Sequence, residues 1–573
     1  MPLKNILWEY TTLDPQLVQQ AQQEFDVPEI YARVLVQRGL TTRLAGKPFF
    51  NPDREQLFDP FLMKGMDIAV ERILEQLRTG RPILIFGDYD VDGTTAAALL
   101  YLVLGTAGGR VSTYIPDRET EGYGLSNRGI DYAGLIGADL MITCDCGINE
   151  VEKVAYAREK GIEVIVTDHH IPDSDLPEAI AILNPKQADC NYPFKTLCGG
   201  GVAFKLALAV ADRGGFDPEL VWEHVDLVAL GTAADMVPIL DENRALVSAG
   251  LRLMEERSRP GLAALWQASG MAGRDMTVGR LVFNLAPKLN AAGRLGDAGR
   301  AVKLLTTDNH YQAMTMAREL VAENERRRQI QESTVEEALY QVNARHDLTR
   351  EKALVLAGEG WHAGVIGIVA ARIRDHFNRP TAIIALKNGI GKGSLRSMAG
   401  FDVYQALTHC REHLLGFGGH AVAAGLTLAS DHLSAFEESF LAWADQNITA
   451  DQLVPKQLVD GDCSLTTIDS RFLRFLRSLE PHGPGNRRPV FVARGVGVAG
   501  QPTLVGNTAA HLKFRVRHEG AAFEAIGFDM ADHYEKLLLN RPVDIAFVVE
   551  ENQWRGNRRV QLLIKDIKME SER

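Results

Sequence analysis

The sequence predicts an α/β protein, with two α/β lobes joined by a long helix and a small β-barrel at the C-terminal end. Three observations carry that expectation. Short apolar runs alternate with helical patterns between residues 82 and 183, as in a parallel sheet covered by helices. The stretch Asn309–Arg345 holds no Gly or Pro and is preceded by Thr307-Asp308, a suitable helix cap. From Lys456 onward helical patterns thin out and short alternating runs take over. A chain of 573 residues is also too long for one core, and usual domain sizes suggest about three or four.

Residues 1–80 read as a helical lead-in ending in the amphipathic stretch Asp67–Arg78. The first α/β domain spans 81–240, with strands expected at Pro82–Phe86, Val111–Ile115, Asp139–Thr143, Glu163–Thr167 and Ala179–Leu183. Helices are expected at Thr94–Leu104 and Val151–Lys160. A helical region, 241–350, ends in the long connector, whose Glu325-Arg326-Arg327-Arg328 run reads as a solvated face. A second α/β domain, 351–450, has strands at Ala353–Ala357 and Thr381–Leu386 around a helix at Val365–Phe377. The final region, 456–573, has short strands at Val490–Val492, Leu512–Val516, Ala522–Phe528, Val543–Val549 and Val560–Ile564, the pattern of an OB-fold.

Composition is that of a globular protein, 46% hydrophobic and 24% charged, and no apolar run approaches the roughly 18–20 residues of a membrane span. Six cysteines in this length are no disulfide framework, and with no secretory core at the N-terminus the expected location is cytoplasmic. The net charge of −12 argues against a protein that coats duplex DNA. The average hides an asymmetry, because residues 456–573 carry 18 Lys and Arg against 15 Asp and Glu.

The chemistry gathers at predicted strand ends, where open α/β sheets place their sites. The first strand runs into Gly87-Asp88-Tyr89-Asp90-Val91-Asp92-Gly93, three carboxylates that would repel one another without a cation. The third delivers Cys144-Asp145-Cys146-Gly147, and the fourth Asp168-His169-His170. Asp235 is a further acid, in an otherwise apolar stretch. Mixed oxygen and nitrogen ligands suit two divalent ions, Mn²⁺ or Mg²⁺, typically about 3.5–4 Å apart in phosphoryl hydrolases. A carboxylate such as Asp145 would bridge them. The C-x-C around Asp145 reads as small buried residues rather than a zinc site, and Gly199-Gly200-Gly201 lacks the spacing of a dinucleotide fold.

The succession GDYDVDG, DCG and DHH resembles the motif series of the DHH phosphoesterase superfamily. Gly418-Gly419-His420-Ala421-Val422-Ala423-Ala424-Gly425 resembles the hallmark of its associated C-terminal domain. Four further stretches are similar to the RecJ exonucleases within it: Tyr114–Arg118, Lys288–Arg294, Gly360–Gly367 and Glu480–Asn486. The resemblance implies Asp90, Asp92, Asp145, His169, His170 and Asp235 as metal ligands, with Asp88 and Asp168 supporting them from behind. It implies a 5′-phosphate pocket at Ser394 and Arg396, joined by Arg118 and Arg294 from the other lobe, in a cleft that admits one strand. The competing reading of Asn388–Ser397 is a flexible glycine loop. His420 is a candidate donor or acid at the scissile phosphate, or part of a structural glycine turn. Arg487, Arg488, Lys513, Arg515, Arg517, Trp554, Arg555, Arg558 and Arg559 form a candidate single-strand track, basic with aromatic stacking. Phe491, Phe514 and Phe523 suit the barrel core better.

The expected activity is processive 5′→3′ hydrolysis of single-stranded DNA to mononucleotides in DNA repair and recombination. The expected molecule is a monomer whose partners are single-stranded DNA, a single-strand-binding protein and a helicase, with no membrane. The alternatives are a phosphodiesterase for short oligoribonucleotides or cyclic dinucleotides, and a catalytically inactive scaffold.

Overall fold

The computed structural model describes residues 6–572 except 119, 296, 507, 540, 555, 556, 570 and 571, and the side chains at 295 and 552–558 also lie outside it. The chain forms two compact units, one of Tyr10–Glu323 with Val459–Arg573, the other of Asn324–Leu458 with the first nine residues. No described helix is long and apolar enough to cross a membrane.

The larger unit is organised by a sheet of five parallel strands, β1 (Pro82–Gly87), β2 (Arg110–Tyr114), β3 (Leu140–Cys144), β4 (Glu163–Thr167) and β5 (Ala181–Leu183), in the order β2-β1-β3-β4-β5. The chain winds one way from β1 to β2 and the other way from β3 onward, so a crevice opens at the carboxyl ends of β1 and β3. β3 is buried along its whole length, and β1 and β4 from their second residue on, which is why they read as unbroken apolar runs. Helix α1 (Val91–Thr106) starts on Asp90, whose carboxylate accepts the N–H groups of Asp92 and Gly93. It is apolar nearly all round because it is enclosed by the sheet, α2 (Gly199–Gly214) and α3 (Val225–Ala234).

The C-terminal region closes into a five-stranded barrel. Its strands are β12 (Phe491–Val505), β13 (His511–His518), β14 (Ala521–Gly527), β15 (Val543–Trp554) and β16 (Asn557–Met569), with β11 (Gly461–Asp462) added at one side. The ring runs β12-β13-β14-β16-β15 and returns to β12 through the Phe491↔Phe547 register. Its core is shared with the N-terminal helices: Tyr31, Val34, Leu35 and Phe49 pack with Phe472, Phe491 and Phe547. The Glu480–Asn486 motif ties the barrel region to a helix outside it and to the segment before that helix. Arg244 on α4 (Asp241–Glu256) is buried and donates to the carbonyls of Phe49, Leu479, Glu480 and Pro481. Within the motif, Asn486 Nδ2 donates to Leu479 and Pro481, and the Pro484 carbonyl accepts from Ile239 at 2.8 Å.

Helix α5 (Ala286–Leu295) carries the Lys288–Arg294 motif, and α6 (His310–Arg345) is the long connector, which starts in the larger unit and ends in the smaller. In the smaller unit a mixed sheet is built from β6 (Leu354–Glu359), β7 (Thr381–Lys387), β8 (Ile390–Arg396), β9 (Gly416–His420) and β10 (Ala423–Ala429), in the order β9-β10-β8-β7-β6. The flexible-loop reading of Asn388–Ser397 fails here. Asn388 and Gly389 have φ of 52° and 78° and make a two-residue hairpin turn, after which the glycine-rich segment is a paired strand.

Candidate metal centre

The parallel register sets the acids side by side. Asp88 N–H donates to the Cys144 carbonyl, Asp145 N–H to Thr167 and Asp168 N–H to Leu183, so each residue just past a strand is tied to the end of the next one. Asp145 has φ of 64°, a left-handed conformation uncommon outside glycine, which turns the chain sharply out of β3. Asp235 arrives separately as the C-terminal cap of α3, where a helix disfavours negative charge.

Three overlapping groups result, each with ligand atoms within 4.8 Å of one another: Asp145, His169 and His170; Asp92, His169 and Asp235; Asp88, Asp90 and Asp145. All six residues implied as ligands are thus brought together, and Asp88 lies within the third group beside Asp90 and Asp145. Asp168 is in none of the three groups. Its Oδ1 accepts from the backbone of His169 and His170 and lies 2.7 Å from His170 Nδ1, while Oδ2 accepts from Ile148. That contact orients the His170 ring and assigns one nitrogen, leaving the other for a ligand.

The cluster is incomplete as a set of hydrogen bonds. Asp88 Oδ1, Asp145 Oδ1, Asp235 Oδ2 and both ring nitrogens of His169 are buried with no hydrogen-bond partner among the described residues. His169 Nε2 lies 3.0 Å from Asp145 Oδ1 and 3.6 Å from Asp235 Oδ2, yet neither approach has hydrogen-bond geometry. Buried polar atoms are almost always satisfied, so orphaned carboxylate oxygens and imidazole nitrogens gathered in these groups fit ligands of a cation. The electrostatics agree. Burial, then the neighbouring carboxylates, push Asp145 well above the usual range and Asp235 up to about 8. Burial also pulls His169 down to about 4, which keeps its ring neutral and able to donate a lone pair.

Beside the cluster lies a cavity of about 240 Å³ into which Asp88 and Asp90 open together with Arg118 and Arg294. Tyr89, Tyr123 and Asn290 complete its walls. The Arg118 guanidinium sits 5.0 Å over the Tyr89 ring. Tyr123 Oη is 3.3 Å from both ring nitrogens of His170, and burial and the surrounding carboxylates keep its hydroxyl protonated.

The remaining candidates belong to the smaller unit and to the barrel. Ser394 and Arg396 share one face of β8, with Arg396 Nη1 3.1 Å from Ser394 Oγ, and His420 is exposed on the edge strand β9. In the barrel, Arg487 pairs with buried Asp460 and Arg488 with Glu550. Lys513, Arg515 and Arg517 alternate with buried residues on β13 and share its outer face. Phe491 and Phe514 are core, and Phe523 packs against it. The Trp554 and Arg558 side chains and Arg555 lie outside the described residues.

Residues 82–232 match the DHH family N-terminal domain, 350–446 the DHHA1 domain and 459–566 the RecJ OB domain. The chain is 37% identical to the single-stranded-DNA-specific exonuclease RecJ of Dickeya dadantii, covering 94% of this chain and 96% of that one. It is 35% identical to its Bacillus subtilis namesake over 98% of this chain and 70% of the other. This chain belongs to the RecJ family. The crystal structure of RecJ with Mn²⁺ from Thermus thermophilus superposes with a TM-score of 0.84 at 31% identity, covering 99% of this chain and 80% of that one.

Within the RecJ family motifs, sequence reading singled out Arg118 and Arg294 but missed Tyr89, Tyr123 and Asn290 in the same cavity. Tyr89 lies within Gly87–Gly93 and Asn290 within Lys288–Arg294, so proximity to the acids and to Arg294 is the signal that marks them. Tyr123 had none, because its loop meets His170 only in the folded chain.

Proposed function

We propose that this RecJ-family chain is a metal-dependent exonuclease that hydrolyses single-stranded DNA from its 5′ end to mononucleotides, in the cytoplasm, during DNA repair and recombination. The observation that carries this reading is the set of buried, unpartnered oxygen and nitrogen atoms at the carboxyl edge of the parallel sheet. Asp92, His169 and Asp235 would hold one divalent cation, and Asp88, Asp90 and Asp145 a second, with His170 beside Asp145. When bound, Mn²⁺ or Mg²⁺ supplies the positive charge that makes water nucleophilic at neutral pH and offsets the charge growing on the phosphate.

The chain's own groups do the rest. Asp168 holds His170 in one orientation, and the protonated Tyr123 hydroxyl offers a hydrogen bond at the edge of the cavity. Arg118 and Arg294 offer guanidinium donors to a phosphate beside the acids. Ser394 and Arg396 would receive the 5′-phosphate, and His420 would donate to the scissile group. Lys513, Arg515 and Arg517 would track the strand's backbone without reading its sequence. The proposed partners are single-stranded DNA, a single-strand-binding protein and a helicase, and the acting form a monomer.

Gel assays on 5′-labelled single-stranded DNA, duplex DNA and RNA, with and without Mn²⁺, test this. Cleavage confined to single-stranded DNA with metal is expected. Cleavage of short RNA alone would favour an oligoribonucleotide phosphodiesterase, and no metal-dependent cleavage in any lane would favour a scaffold.

A further inference from the structure

Helix α2 opens with Gly199-Gly200-Gly201, although glycine is among the weakest helix formers. Neither these three nor Gly231 in α3 has a positive φ, so backbone conformation does not require glycine at any of them. Space does. A Cβ on Gly231 would stand 2.6 Å from both Asp92 Oδ1 and Thr95 Oγ1, and one on Gly200 would stand 3.1 Å from Asp92 Oδ1. On Gly199 it would stand 2.6 Å from Asp145 Cβ and 2.9 Å from Asp145 Oδ1.

The cleared space brings backbone donors onto a carboxylate. Gly199 N–H donates to Asp92 Oδ2 at 2.6 Å and Gly200 N–H to Asp92 Oδ1 at 2.9 Å. Cys198 Sγ takes the Gly201 N–H, which completes the helix start. Asp92 is therefore held by both oxygens at the positive end of α2. Asp92 Oδ2 lies 3.9 Å from His169 Nε2, within the group that Asp92 forms with His169 and Asp235.

We propose that Gly199, Gly200 and Gly231 are positioning residues, which set the rotation of the Asp92 carboxylate and through it the affinity of the cation position formed by Asp92, His169 and Asp235. This rests on the metal-centre reading and extends it to residues that carry no ligand atom.

Calorimetric titration of the full chain with Mn²⁺ alone tests it. Wild type should bind; Gly200→Ala should weaken one class of site about tenfold and Gly231→Ala up to about a hundredfold, the range for changes behind a metal ligand. Gly105→Ala, where an added Cβ meets nothing within 4 Å, should bind as wild type. In the gel assay, Gly200→Ala should need more Mn²⁺ for half-maximal rate yet recover wild-type kcat at saturation, which a merely structural defect would not do. Folded Gly200→Ala and Gly231→Ala with wild-type Mn²⁺ affinity would overturn the proposal. Were Gly231→Ala unfolded by circular dichroism, Gly200→Ala decides alone, since its overlap is smaller. Absence of Mn²⁺ binding by wild type would instead overturn the metal-centre reading itself.

Discussion

Two buried acidic sites in the larger unit have opposite hydrogen-bond states. Around Glu242 every partner is present. Lys205 Nζ lies 2.5 Å from Oε1, Phe58 N–H donates to the same oxygen, and the Tyr192 hydroxyl lies 2.9 and 2.7 Å from the two oxygens. Around Asp145, equally buried, the neighbours are other carboxylates and the imidazoles of His169 and His170, and Oδ1 has no hydrogen-bond partner among the described residues. The first site is closed on itself and holds the fold together. The second is electrostatically unfinished, and the surrounding structure keeps it so. Burial alone therefore does not mark this site; the several buried oxygens and nitrogens left without a partner in one cluster do.

Substitutions should separate the two. The largest effect is expected for Asp145→Ala, which should cut turnover by roughly a thousandfold or more while sparing strand binding. Steady-state rates beside fluorescence anisotropy on labelled single-stranded DNA would measure both, and undiminished hydrolysis would remove this carboxylate from the mechanism. Next, Glu242→Gln leaves Lys205 charged and unpaired in the interior, and should cost about 3–5 kcal/mol in urea unfolding. The opposite sign is expected of Asp145→Asn in chelator-treated protein. It relieves like-charge repulsion and should raise stability by about 1 kcal/mol, an advantage that added Mn²⁺ reverses. A loss of stability in that variant without metal would mean the acids are not in conflict.

The smallest effect carries the comparison to the other unit. Arg396 contacts Ser394 on β8 of the smaller unit. Arg396→Ala should lower the preference for a 5′-phosphate over a 5′-hydroxyl end by about tenfold, the worth of one charge-assisted hydrogen bond. Equal loss on both ends, measured by single-turnover rates, would argue against an end pocket there.

Residue order alone sets the run of strand, acid and helix in the first lobe. An apolar strand must be buried, and a residue just beyond it must emerge at the sheet edge, so Asp88, Asp145 and Asp168 are legible as neighbours before any fold is known. The hairpin at Asn388-Gly389 is local too, yet its pattern reads as a loop. Gly391 and Gly393 supply no hydropathy, so their alternation with Lys392, Ser394 and Arg396 carries no strand signal.

The remainder depends on how distant segments pack, because the contacts that matter have no local signature. Asp235 enters the cluster from the end of a helix, and Tyr123 reaches His170 from a loop. The N-terminal helices take part in the barrel core more than 400 residues away, as Tyr31 does in stacking on Phe475 at 4.3 Å. Gly199 and Gly200 in α2 and Gly231 in α3 show no purpose in one dimension. Their value is the absence of a side chain beside Asp92 and Asp145, and an absence becomes readable only when the atoms that need the space are in view.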